Sequence, residues 1–381
     1  MEVEKSKNSK ITSSNEKPEE ITINNEFIFQ TSNRIKTNSI SNIFKGINKK
    51  SNEEIIIKIM SEKTEFHNLI HEYSILKNFQ ECENFPKIFY YSKNEENIIL
   101  ITNYLGKNLE ELIKIEPTKH FSLKTTLMLS IKIIEIIKIF HEKNYIHRNI
   151  KPENFLIGKS NLSKLNLIGF NLSKHYKKNN IHISYKNNKS LIGTLRFSSI
   201  YSHFGFEQSR RDDLISLGYM IIYFIKGNLP WIGIKSKNIK EKINRIKEKK
   251  IEVTPNILCQ NINFNIKSFF DYVLKLKFSE TPNYEFLINL FLEDLKIHNF
   301  NNDLIFDWCE RKSISFNNNS NKFYNGTFGS QINFSTNTIN KNKTNNYHQF
   351  SQESIIFQQN NQYNQYYQKN KSVEISFEQT K

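Results

Sequence analysis

The stretch from Leu127 to Glu142 sets the hardest condition on any fold this chain can adopt. Its charged residues, Lys132, Glu135, Lys138 and Glu142, fall three or four apart and so share one stripe of a helix. The other faces are nearly all Ile and Leu, so the helix must be buried around most of its circumference by a sizeable domain. The chain has the material: 381 residues, 38% hydrophobic and 24% charged, which excludes collagen and a wholly disordered protein. Its longest uninterrupted apolar run, Leu217 to Ile225, is nine residues, where a membrane-spanning helix needs roughly 20. The first twenty residues are rich in Lys, Glu and Ser, without the apolar centre of a secretory signal. The expectation is an intracellular protein, cytoplasmic or nuclear, with no membrane partner.

Three zones follow one another. Residues 1–25 read as a polar, disordered tail. Residues 26–312 alternate periodic apolar segments with short polar breaks and form the folded part. Residues 313–381 hold 15 Asn and 9 Gln among 69 residues, interleaved with Tyr and Phe, a composition expected to be disordered and prone to self-association. In the folded zone, Glu54 to Met60 is a β-branched run, and Ile88 to Tyr91 and Asn97 to Tyr104 flank a polar turn, so all three read as strands. A helix is expected at about Glu65 to Lys77, and helices dominate from Leu123 onward. The pattern predicts an α+β fold with a small sheet-rich lobe over residues 26–104 and a larger helical lobe over 105–312, with a ligand site expected between lobes.

Charge and cysteine content bound the chemistry. Lys plus Arg number 54 against 38 Asp plus Glu, a formal net charge of +16, which invites an anionic partner such as nucleic acid or an acidic protein segment. Asn, Lys and Ile also share AT-rich codons, so genome composition is an equal explanation. Cys82, Cys259 and Cys309 are odd in number and widely spaced, which excludes a disulfide framework and leaves packing as their role. His175, His182 and His203 lie in a basic stretch without Cys or carboxylate company, so no metal site is expected there.

The residues after the buried helix are the most specific signal. Tyr145-Ile146-His147-Arg148-Asn149-Ile150-Lys151-Pro152-Glu153-Asn154-Phe155-Leu156 resembles the catalytic loop of a protein kinase. Farther on, Gly193-Thr194-Leu195-Arg196-Phe197-Ser198-Ser199 and Glu207-Gln208-Ser209-Arg210-Arg211-Asp212-Asp213-Leu214 resemble the casein kinase 1 family, as do Leu229-Pro230-Trp231 and Phe306-Asp307-Trp308. The resemblance covers about residues 26–312 and implies a bilobal protein kinase fold. It also implies roles. Lys58 stands where the family's strand lysine holds the α- and β-phosphates, with Glu72 as its ion-pair partner. Leu105 and Leu156 fall at further nucleotide-binding positions. Lys151 and Asn154 match the lysine that faces the γ-phosphate and the asparagine that ligates a second Mg²⁺. His147 and Arg148 hold the loop in shape, and Asp213 hydrogen-bonds its backbone.

Four departures set this chain apart from the family pattern. Asn149 replaces the aspartate that accepts the substrate proton. Gly169, in Gly169-Phe170-Asn171, replaces the aspartate that grips Mg²⁺, and no Asp or Glu occurs from Asn154 to Phe206 to substitute for it. The segment Ile35 to Ile43, aligned with the glycine-rich turn over the phosphates, has no glycine. Ile56 replaces a small alanine beneath the adenine ring.

A second feature matches the family: Arg196, Gly233 and Lys242 occupy the positions of an anion site that reads acidic or pre-phosphorylated substrates. The stretch from Asn154 to Phe206 adds seven lysines to Arg196, a local charge of +8. Arg196 as a structural brace and the lysines as ordinary solvated surface is the competing explanation. These readings lead to a pseudokinase that binds acidic or phosphorylated proteins, with no cofactor or metal expected. A weakly active serine/threonine kinase using ATP and Mg²⁺ is the alternative. Nucleic-acid association through the net charge comes last, because no recognised motif supports it.

Overall fold

The structure is a computed structural model and describes residues 19–37, 41–62, 68–262 and 264–309. The Asn/Gln-rich tail and most of the N-terminal tail lie outside the described residues, as do 38–40 of the segment aligned with the glycine-rich turn.

Hydrophobic alternation builds one antiparallel sheet from β1 (Glu20–Ile23), β2 (Phe27–Thr37), β3 (Ser41–Asn48), β4 (Glu54–Ser61), β5 (Ile88–Lys93) and β6 (Asn97–Asn103), in the order β1-β2-β3-β4-β6-β5. In β4 the period of two sends Ile55 and Ile57 into the core while Ile56 and Lys58 share the opposite, half-buried face. Phe27, Phe29, Phe44, Ile55, Ile57 and Ile101 make one core cluster. Gly46 is required there, because a Cβ would lie 2.5 Å from the Ile28 carbonyl oxygen and 2.8 Å from Ile57 Cδ1. Strand β1 is a correction to the sequence reading, which placed the disordered tail as far as Asn25. Asn24 and Asn25 take left-handed backbone angles, φ 51° and 52°, and so turn the chain to pair Ile23 with Phe27.

Helix α1 (Asn68–Leu76) follows β4 and ends one residue before the expected Lys77; its predicted first residues, 65–67, lie outside the described residues. After β6 come α2 (Leu109–Ile115) and α3 (Leu123–Glu142), the latter carrying the stripe that the sequence predicts. Ile133 and Ile134 are fully buried, Lys132, Glu135 and Lys138 half-buried, and Glu142 exposed. Short strands then punctuate the chain: β7 (Tyr145–Ile146), β8 (Phe155–Ile157), β9 (Leu165–Leu167), β10 (Lys174–His175), β11 (Lys177–Lys178) and β12 (Ile181–His182). The remainder is helical: α4 (Ile200–His203), α5 (Arg210–Lys226), α6 (Ile239–Glu252), α7 (Pro255–Leu258), α8 (Ile266–Val273) and α9 (Tyr284–Ile297). Among the described residues no helix is long and apolar enough to cross a membrane.

The chain divides into two compact units. One joins the residues up to Leu112 with Lys138–His147 and Pro152–His175; the other joins Ile113–Ile137, Arg148–Lys151 and the chain from Tyr176. This cuts across the expected boundary at residue 104. Within the sheet-bearing unit the reason is an aromatic cluster: Phe79 lies 4.3 Å from Phe85 and 5.1 Å from Phe140 between ring centroids, and Phe140 lies 5.6 Å from Phe170. Within the helical unit α5 is buried along almost its whole length. Residues near 307 close this unit: Asp307 accepts hydrogen bonds from Ser122 N and Oγ at 2.8 and 2.6 Å and from Thr125 Oγ1 at 2.8 Å, while Trp308 packs edge-on against Phe121 at 5.5 Å.

Candidate functional site

In the sheet-bearing unit, β4 presents Lys58 and the buried face of α1 presents Glu72. Lys58 Nζ donates to Glu72 Oε1 at 2.6 Å, and the Glu72 side chain is only 6% exposed. The helix is tied down on either side of Glu72. His71 Nε2 donates to the Ser173 carbonyl at 2.9 Å, and Tyr73 stacks on Tyr91 of β5 at 3.7 Å. Leu105 is buried, whereas Leu156 is half-buried in β8, where it pairs with Asn166. Ile56, the bulky residue of β4, pairs with Thr102.

The β8–β9 hairpin holds the next two predicted residues together. Asn154 precedes β8 and Gly169 follows β9, with Ile168 N donating to the Asn154 carbonyl at 2.9 Å. Gly169 adopts φ +85°, in the left-handed region, and opens the one-turn helix Phe170–Leu172. The buried Asn154 amide lies over it: a Cβ at residue 169 would sit 2.6 Å from Asn154 Oδ1. His147 Nε2 donates to the Ile168 carbonyl at 3.0 Å, in keeping with the shape-holding role expected of it.

In the helical unit, Arg148 takes φ +61° and its backbone N–H donates to Asp213 Oδ1 at 2.8 Å, the loop bond expected of Asp213. Burial pulls the Arg148 guanidinium below its ordinary pKa, and the charges of Glu207 and Asp213 oppose this. That loop presents Asn149, whose Oδ1 accepts from Thr194 Oγ1 at 2.8 Å, and then half-buried Lys151. The side chain of Thr194 carried no role in the sequence reading. Its neighbour Gly193, with φ +112°, shows why the two segments meet, since a Cβ there would reach the Arg148 carbonyl oxygen at 2.7 Å.

Arg196 is half-buried. Its guanidinium lies 5.3 Å from the Tyr223 ring, and its carbonyl accepts from Trp231 Nε1 at 2.7 Å. The bond ties the Leu229-Pro230-Trp231 turn, two residues before Gly233, to Arg196. Gly233 is exposed at φ +81° with open space where a Cβ would stand, and Lys242 lies half-buried in the first turns of α6. One residue escaped the sequence reading altogether: Lys250, buried at the end of α6, donates to the carbonyls of Leu195 and Ser198 at 2.9 and 2.6 Å on either side of Arg196. The local charge of +8 is partly met by carboxylates from outside the stretch, since Lys159 pairs with Glu54 at 2.5 Å and Lys189 with Glu207 at 3.9 Å.

The sheet-bearing unit thus holds a strand lysine paired to a helix glutamate and a hairpin leading into a Gly-Phe-Asn turn, and the helical unit holds a loop anchored by a buried helix aspartate. Residues 29–290 match the family model described as the protein kinase domain, and with more than half of the chain covered, this chain belongs to the protein kinase domain family.

Proposed function

We propose that this chain is a casein kinase 1-type pseudokinase that binds acidic or phosphorylated protein segments rather than transferring phosphate to them. The observation that carries the reading lies where the two catalytic carboxylates are expected. Asn149 offers a neutral amide whose Oδ1 already accepts the Thr194 hydroxyl at 2.8 Å, and Gly169 offers no side chain. An amide has no basic oxygen to take a substrate proton, and general base catalysis is typically worth 10²- to 10⁴-fold in rate. The binding half of the reading draws on Arg196, braced by Tyr223 and by the Trp231 bond, and on Lys242 and Gly233 as further members of an anion site. A guanidinium suits bidentate contact with phosphate or carboxylate.

The test is radiolabelled phosphate transfer from Mg²⁺-ATP to a phosphorylated acidic peptide, with Lys58→Met as background, alongside binding of the same peptide with and without its phosphate. The expected outcome is no transfer above background and tighter binding of the phosphorylated form, lost when Arg196→Glu and Lys242→Glu are combined. Equal binding of both peptides would sink the binding role. A second reading, a weakly active serine/threonine kinase, is favoured by the Lys58–Glu72 pair at 2.6 Å, which active kinases also need in place. Transfer that disappears in Lys58→Met would establish it instead.

A further inference from the structure

The family resemblance makes residues 154 and 169 the two places where protein side chains would hold Mg²⁺. Magnesium demands hard oxygen ligands in near-octahedral array, usually with one or two carboxylates among them. Here the pair supplies one amide and a bare backbone, and the amide is turned onto that backbone. A Cβ at residue 169 would lie 2.6 Å from Asn154 Oδ1, 2.8 Å from its Cγ and 3.0 Å from its Nδ2. The space through which a metal-gripping side chain would leave residue 169 is thus filled by the neighbouring ligand position.

Protein groups fasten the surrounding turn. Ile168 N donates to the Asn154 carbonyl at 2.9 Å, and Ser173 N donates to the Phe170 carbonyl at 2.9 Å. His147 and His71 donate to the carbonyls of Ile168 and Ser173 at 3.0 and 2.9 Å. Phe170 is fully buried against Phe85, Phe140 and His147, at 6.1, 5.6 and 5.7 Å between ring centroids. Because His71 is adjacent to Glu72, the same fastening holds α1 where Glu72 meets Lys58.

We infer that Asn154 has exchanged a metal-ligand role for a packing one: its amide plugs the space over Gly169, and the turn and the Lys58–Glu72 pair keep their arrangement without a divalent cation. This rests on the pseudokinase reading and deepens it.

The test uses the full chain with Mn²⁺, followed by water-proton relaxation, and Mg²⁺, followed by thermal melting. The plug predicts no Mn²⁺ binding that depends on Asn154 and no shift of the melting midpoint with Mg²⁺. Saturable Mn²⁺ binding that Asn154→Ala abolishes, or a midpoint raised by Mg²⁺ in the natural chain but not in Asn154→Ala, overturns the inference. Binding that survives Asn154→Ala lies elsewhere and agrees with it. A second comparison needs no metal. Gly169→Ala is expected to lower the melting midpoint by several degrees, and the drop should shrink in an Asn154→Gly background to the cost of the left-handed backbone alone. Equal drops in both backgrounds would also overturn it. A chain that binds Mn²⁺ through Asn154 yet transfers no phosphate would sink this inference and leave the pseudokinase reading standing.

Discussion

His203 and Lys250 are buried basic groups of the helical unit and share a neighbourhood beside Leu195. Complete burial, with help from the Lys250 and Lys247 charges, holds the His203 imidazole well below its ordinary pKa. The unfolded chain, with a histidine value near 6.5, therefore binds the proton more readily than the folded one. His203 leaves stability intact above about pH 6.5 and removes it as pH falls, with a slope approaching about 1.4 kcal/mol per pH unit. Urea titrations between neutral and mildly acid pH should show this loss, and His203→Gln should flatten it; an unchanged slope in the variant would refute the assignment. Lys250 shows why such groups escape a sequence reading. It stands among Lys247, Glu248 and Lys249, a run that reads as a solvated helix face. What buries it is a pair of carbonyls 52 and 55 residues away, together with the rings of Tyr219 and Trp231 at 4.9 and 5.0 Å. Lys58 and Glu72 were legible because the family resemblance assigns both positions, on a strand and a helix that the sequence pattern also displays.

At the scale of elements, α3 is the sharpest case of pattern becoming structure. Ile133 and Ile134 are 0% exposed, so Ile133→Ala should cost about 2–5 kcal/mol in a denaturant melt. Lys132, on the charged stripe, pairs with Glu135 at 2.9 Å across a partly exposed surface, and Lys132→Ala should cost well under about 1 kcal/mol. Similar losses for the two variants would show that the stripe does not mark the solvent side. Strands β4, β5 and β6 were readable for the same reason, since β-branched and aromatic runs between turns leave few alternatives. Strands β1 and β2 were not. Thr31-Ser32-Asn33-Arg34 carries no apolar alternation, and the β2–β3 pairing is irregular between Phe29 and Arg34. The loop residues of the site were legible by type and order, whereas the Thr194–Asn149 bond and the Asn154 plug depend on close approaches that spacing does not encode.

For the molecule as a whole, the family match ends at residue 290 while the fold continues to 309. Asp307 is the reason to count those last residues as structural, because it accepts from Ser122 N, Ser122 Oγ and Thr125 Oγ1 at 2.8, 2.6 and 2.8 Å. Asp307→Ala strands these donors and should lower stability by about 1–3 kcal/mol. A melting midpoint equal to that of the natural chain would show the clasp to be idle. Its span has a kinetic side as well. Strands β1, β2 and β3 each pair with the next in sequence, so that part of the sheet can zip up from local contacts as soon as it is made. The Ser122–Asp307 clasp instead joins residues 185 apart, and closing so long a loop is a late event. The helical unit consequently waits for nearly the whole kinase domain to be synthesised, and during that wait the apolar sides of α3 and α5 are the surfaces a chaperone would meet.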